Sequence, residues 1–238
     1  MVNVPVITRR ELGAFFLSPM AYIVLTGFAL AQGIMFALVL HPPIDPAWTA
    51  QWVFSIPLYL LIVAAPVLTM RLLSEETSSG TIETMMTAPV TETELVLGKF
   101  GGVLVFAMVM FLPLAAEMGF LGLHGQMDPG PVLAGFMGLF LLTAQYLALG
   151  LRFTALTRVQ VAAAIMTFAA LLARYSAWWL LTDSPAAASR LLRYLSPPGH
   201  YTSFPQGIVD TRDVAYYVIT TVLLLSLTVR ALQMRRQR

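Results

Sequence analysis

The sequence predicts an all-α integral membrane protein with six transmembrane helices, and three observations carry that prediction. Hydrophobic residues make up 58% of the chain and charged residues 11%, with mean hydropathy +0.78. A soluble domain carries roughly 25% charged residues. Six apolar runs each approach the roughly 20 residues that cross a bilayer. Basic residues are concentrated on one side of the spans. The net charge of +2 is too small to point to nucleic acid, and the absence of cysteine excludes disulfides, zinc–thiolate sites and cysteine nucleophiles.

The elements follow in order. In VPVITRRELGAFFLSP, Val6, Ile7, Leu12, Phe15 and Phe16 approximate one helical face with Arg9, Arg10 and Glu11 opposite. That pattern predicts an N-terminal interfacial helix lying flat, with Pro19 as the bend into the first crossing. It is not a cleavable signal, because no small-residue cleavage pattern follows the apolar stretch. The spans are expected at about 20–40, 52–72, 100–123, 131–151, 161–181 and 214–232, within a single transmembrane domain covering 1–238. In the first, Gly27 with Ala31 and Ala29 with Gly33 give small-residue spacing for a close helix contact. Pro57 and Pro66 fall in the second, where neighbouring helices can satisfy the freed carbonyls.

The polar interval Arg71–Lys99 is the most organised loop. Ser78 and Ser79 offer N-cap hydroxyls, and a short helix from Gly80 to Thr87 is stopped by Pro89. Thr91 and Glu94 then form a capping box at the start of the next helix. The short helix carries Ile82, Met85 and Met86 among polar neighbours. From pattern alone it is either a solvated loop helix or an element lying under a partner.

Six spans put both termini on one side. Arg9, Arg10, Arg71, Lys99, Arg152, Arg158, Arg230, Arg235, Arg236 and Arg238 share that side, while Arg190, Arg193 and Arg212 lie on the other. The asymmetry places both termini and the Arg71–Lys99 loop in the cytoplasm. On the outer side, the interval before the last span contains a helical stretch, Ala186–Leu195, broken by SPPGH. The YTSFPQGIV that follows is apolar enough to re-enter the leaflet, so a short re-entrant or interfacial outer segment is expected.

Little chemistry is written into the chain. No GxxxxGK[ST], HExxH or GxSxG occurs, so nucleotide energy would come from another chain. His41, His124 and His200 map to outer positions, where solvated interfacial histidines explain them better than a metal site. Glu117 and Arg174 are ionisable groups within spans, each costing about 2.5–3.5 kcal/mol at a lipid-facing centre. Their similar depth predicts an intramembrane charge pair. A secondary transporter or channel working without an ATPase is the alternative function, but it calls for inverted repeats and several mid-membrane charges. A membrane-embedded enzyme lacks any nucleophile or metal constellation.

Three stretches together resemble one family. Glu75, Glu76, Gly80, Thr81, Ile82, Glu83, Pro89, Val90, Gly98 and Lys99 match the first cytoplasmic loop of permease subunits of type 2 ABC transporters. TRRELGAFFLSPMAYIV and LSPPGHYTSFPQGIVDTRDVAYYV resemble the start and the outer segment of its gliding-motility-associated, GldF-like branch. The resemblance implies a permease subunit of the cytoplasmic (inner) membrane, not itself an enzyme and without a nucleotide-binding motif of its own. It would pair with a second permease chain as a homo- or heterodimer and dock a cytoplasmic ABC ATPase that binds ATP and magnesium. The short loop helix would be the coupling helix, with Gly80, Thr81, Ile82, Glu83, Met85 and Met86 as its contact residues. Export of substrate is the implied direction.

Overall fold

The computed structural model describes residues 3–40, 46–75, 91–123, 128–180 and 194–236. Among these the regular structure is helical throughout, without a strand. α1 (Val4–Leu17) ends at Ser18, whose extended backbone turns the chain, and Pro19 opens α2 (Pro19–Val39) from a first-turn position it tolerates. α3 (Pro46–Thr69) contains Pro57 and Pro66. α4 (Glu92–Met110) breaks at Phe111 and continues as α5 (Leu112–Leu123). Pro113 accounts for the break, since it has no N–H to donate and its ring collides with the carbonyl four residues earlier. α6 (Pro129–Leu156) is capped by Asp128, whose carboxylate accepts from the Gly130 N–H at 3.1 Å. α7 (Gln160–Leu180), a short α8 (Pro197–Tyr201), a 3-10 turn (Phe204–Gln206) and α9 (Thr211–Arg236) complete the chain.

Six stretches are long and apolar enough to cross a membrane: α2, α3 from Gln51, α4 with α5, α6, α7 and most of α9. The third starts at Glu92, earlier than the apolar pattern suggested. Its 32 residues span about 48 Å at about 1.5 Å per residue, against about 30 Å of hydrocarbon. The first turns of α4 therefore project beyond the bilayer. α6 is the central helix, packed against α3, α7 and α9 and buried along most of its length. By contrast, Gly27 and Gly33 of α2 have open space where a side chain would begin, so the close contact expected from their spacing is not made among the described residues. Small residues permit an approach without supplying the partner.

At one end of the bundle the segment before α9 folds inward, as its composition predicted. Pro197, Pro198, Tyr201, Phe204 and Pro205 are buried. Phe204 drops onto Gly138 of α6, where a Cβ would lie only 2.5 Å from the ring, so no larger residue fits without movement. The Tyr201 hydroxyl donates to the Phe54 carbonyl of α3 at 2.7 Å, and the Tyr217 hydroxyl donates to the Pro197 carbonyl at 2.8 Å. Ile208 and Val209 emerge exposed, so the insertion stops at the 3-10 turn. The helix expected at Ala186–Leu195 falls almost entirely outside the described residues.

His200 fastens this plug. Its Nδ1 lies 2.7 Å from the Asp213 carboxylate and its Nε2 lies 2.8 Å from the Tyr194 carbonyl oxygen. Each ring nitrogen thus has an oxygen within hydrogen-bond distance. The ring stacks on Tyr216 at 4.0 Å, and Ser203 donates to the other Asp213 oxygen at 2.7 Å. The expected solvated histidine is instead buried. Asp213→Ala should cost about 2 kcal/mol of stability by leaving the buried His200 Nδ1 without its carboxylate. Thermal unfolding in detergent should show His200→Ala costing a similar amount and the double variant much less than the sum. Strict additivity would mean that this pair does not hold the plug.

Candidate functional site

The opposite end of the bundle carries the flanks of the Arg71–Lys99 loop, and both flanks converge on α1. The outgoing flank begins with the capping box that the sequence predicted: the Glu94 N–H donates to Thr91 Oγ1 at 3.2 Å, and the Thr91 N–H donates to the Glu94 carboxylate at 3.3 Å. The same carboxylate also accepts from the Asn3 side-chain amide at 3.2 Å and lies 3.5 Å from the Asn3 N–H. One carboxylate thus caps α4 and holds the start of α1.

One turn further on, α1 presses against the glycines of Gly98-Lys99-Phe100-Gly101-Gly102. A Cβ at Gly98 would lie 2.6 Å from Ile7 Cβ, and one at Gly102 would lie 2.7 Å from Glu11 Cβ, so the groove exists because these positions are bare. The Thr8 hydroxyl donates to the Gly98 carbonyl at 3.1 Å. Lys99 Nζ meets Glu11 Oε1 at 3.1 Å, with side-chain exposures of 2% and 12%. Phe15 stacks on Phe106 at 4.9 Å to close the contact.

This corrects the N-terminal expectation. α1 is docked on α4 through Ile7, Thr8, Glu11 and Phe15, while Val6 and Leu17 are 68% and 86% exposed. Glu11, assigned to the polar outer face, points inward because Lys99 needs a counter-charge where water is excluded. The signal lay in the Gly98/Gly101/Gly102 spacing and in a lysine so close to an apolar span. The incoming flank reaches the other end of α1: Arg71 Nη1 lies 3.5 Å from Ser18 Oγ, and its Nε lies 3.4 Å from Glu75.

The expected contact residues Gly80, Thr81, Ile82, Glu83, Met85 and Met86 lie outside the described residues. The two intramembrane charges are described, and they do not pair. Glu117 of α5 accepts from Gln32 Nε2 of α2 at 2.8 Å. Arg174 of α7 donates to the Tyr216 hydroxyl at 2.6 Å and to the Leu195 carbonyl at 3.1 Å. Similar depth was legible in the sequence, but facing was not. Each group is instead met by neutral partners on the helix beside it. Among the described residues, no three His, Asp or Glu side chains gather as metal ligands.

The family model for an ABC-2 family transporter protein matches residues 58–231, from within α3 to near the end of α9. The chain belongs to the ABC-2 transporter family. No curated protein matches it. The ABC-2 protein is a multi-pass membrane subunit of an ABC transporter, a class whose membrane subunit associates with an ABC ATPase. Its α1 and α2 lie outside the matched residues, so the clamp between α1 and α4 is read from its own geometry.

Breaking a buried ion pair from one side strands the other charge and costs about 3–5 kcal/mol. Lys99→Met alone should therefore destabilise this ABC-2 permease, by less than that full amount because Arg10 Nη2 still meets Glu11 Oε1 at 3.1 Å, and Glu11→Leu should recover part of the loss. The comparison of unfolding midpoints for both singles and the double would refute the pair if the double were worse than either single.

Proposed function

We propose that the chain is a permease of the GldF-like branch that exports substrate across the cytoplasmic membrane, driven by a separate cytoplasmic ATPase that binds ATP and magnesium. In this reading the termini and the Arg71–Lys99 loop face the cytoplasm, as the basic-residue asymmetry favours. Two permease chains form the transport unit, alike or different. The segment Gly80–Thr87 is the coupling helix, with Glu83 as an ion-pair partner for the ATPase and Ile82, Met85 and Met86 as adaptable apolar contacts.

The observation that supports the reading is the fastening of both loop flanks to α1. A helix pushed by an ATPase moves a permease only if its flanks are stiff, and here stiffness has named sources. Glu94 ties α4 to Asn3, Lys99 ties it to Glu11, and Arg71 reaches Ser18. A displacement of the loop would carry α1 and the first half of α4 as one body. The break at Phe111 is the position at which α4 can tilt without dragging α5. ATP binding drives the change provided that the closed ATPase pair binds one permease state better than the other.

Reversing the charge at Glu83 together with the apolar contact tests this. A like-charge clash at an interface costs several kcal/mol, so Glu83→Lys with Ile82→Asp should abolish ATPase association in detergent extracts while the permease stays inserted. Unchanged association and unchanged transport-linked hydrolysis would remove the coupling assignment.

A further inference from the structure

We propose that the crevice between the end of α1, the start of α2 and the end of α3 binds one anionic phospholipid of the adjoining leaflet. The crevice is half open, with about 270 Å³ of unfilled space including its mouth. Its walls are apolar, formed by Phe15, Val24, Val67 and Leu68, and its two polar residues are Ser18 and Arg71. The proposal needs only that α2 and α3 span a bilayer. It does not depend on which ATPase, if any, docks at the loop.

Depth comes first. Ser18 immediately precedes α2 and Arg71 closely follows α3, so both stand where two spans leave the hydrocarbon. Val24 and Val67 lie a turn or more inside. An apolar notch at that depth gains nothing from water, and left empty it forfeits the dispersion contacts of its lining. The available filler is a lipid acyl chain, and any phospholipid can supply one.

Headgroup choice comes from the mouth. Arg71 is about half exposed, and its two contacts are long: 3.5 Å from Nη1 to Ser18 Oγ and 3.4 Å from Nε to Glu75. The Glu75 carboxylate is itself half exposed, and an exposed pair of this spacing is weak and salt-screened. It occupies the Nε edge and Ser18 takes one Nη1 hydrogen, while the other guanidinium N–H groups make no bond among the described residues. A planar fork with spare donors above a shallow apolar notch matches a phosphodiester bearing net negative charge. The Ser18 oxygen faces Arg71, which leaves its own O–H to donate to the same phosphate. A zwitterionic lipid would offer the phosphate but would bring a cation toward Arg71.

The lipid would sit at the bend between α1 and α2, beside the incoming flank of the loop. There it would strengthen a link that the protein alone makes only at 3.5 Å.

The test uses the full chain in nanodiscs of phosphatidylcholine doped with spin-labelled phosphatidylglycerol or spin-labelled phosphatidylcholine. One basic residue at an anionic surface is worth about fivefold, so the immobilised fraction should favour phosphatidylglycerol by about that factor. Arg71→Gln should bring the two lipids to parity, and Arg71→Lys should keep most of the preference. Val67→Phe, which fills the notch, should reduce immobilisation of both lipids. Excess glycerol phosphate should displace neither. Equal retention by the unmodified protein would overturn the proposal, as would a preference that survives Arg71→Gln or one abolished instead by Arg9→Gln with Arg10→Gln. Displacement by glycerol phosphate would assign a free-phosphate site and also overturn it, as would retention unchanged by Val67→Phe.

Discussion

The ion pair between Lys99 and Glu11 is the constraint from which the loop-bearing end of the molecule follows. The Lys99 side chain is 2% exposed, and a charge buried that far is costly unless it is paired. The partner must come from another helix, and a helix can come close enough only over a surface without side chains. Gly98, Gly101 and Gly102 supply that surface, and Thr8 and Glu11 fill it. Once α1 is seated, Ser18 and Pro19 set the direction of α2, and Arg71 is brought within reach of the same bend. The positions of both loop flanks are consequences of one buried charge.

The two ends of the bundle solve different problems with similar means. At the loop end, charge and glycine attach a surface helix to a membrane helix. At the plug end, a short proline-rich segment is pulled into the bundle by tyrosine hydroxyls donating to backbone carbonyls and by the His200–Asp213 contact. Buried polar groups of this kind rigidify because each would be costly alone. Between the ends, α6 offers a shaft buried from Leu142 to Leu151, and α4 is interrupted at Phe111. A stiff first half, a break and a fixed plug form an arrangement in which movement at one end need not dissolve packing at the other.

Much of this was legible in the sequence, for local reasons. Apolar run length, the Thr91–Glu94 capping box and the apolar composition of YTSFPQGIV are all written within a few residues of where they act. What could not be read is azimuth and distant partnership. Glu11 and Lys99 are 88 positions apart, and nothing in VPVITRRELGAFFL says which of its polar residues turns inward. Glu117 and Arg174 share a depth, yet one faces Gln32 on α2 and the other Tyr216 on α9. Depth follows from counting residues along a helix, whereas facing depends on how six helices rotate against one another. His200 was misjudged for the same reason, since its carboxylate partner belongs to the next helix. The loop helix Gly80–Thr87 stays an inference from its caps and from the family.

The account's central claim is that α1 and the first half of α4 move as one body, and a chemical lock tests it directly. The chain has no cysteine, and a Cβ at Gly101 would lie 3.8 Å from Thr8 Cβ, the spacing a disulfide requires. Thr8→Cys with Gly101→Cys, oxidised in the reconstituted complex, joins the two helices covalently. The account predicts that ATP-driven transport continues at the rate of the reduced protein. Transport that stops on oxidation and returns on reduction would mean that α1 must part from α4 in the cycle, and would contradict it.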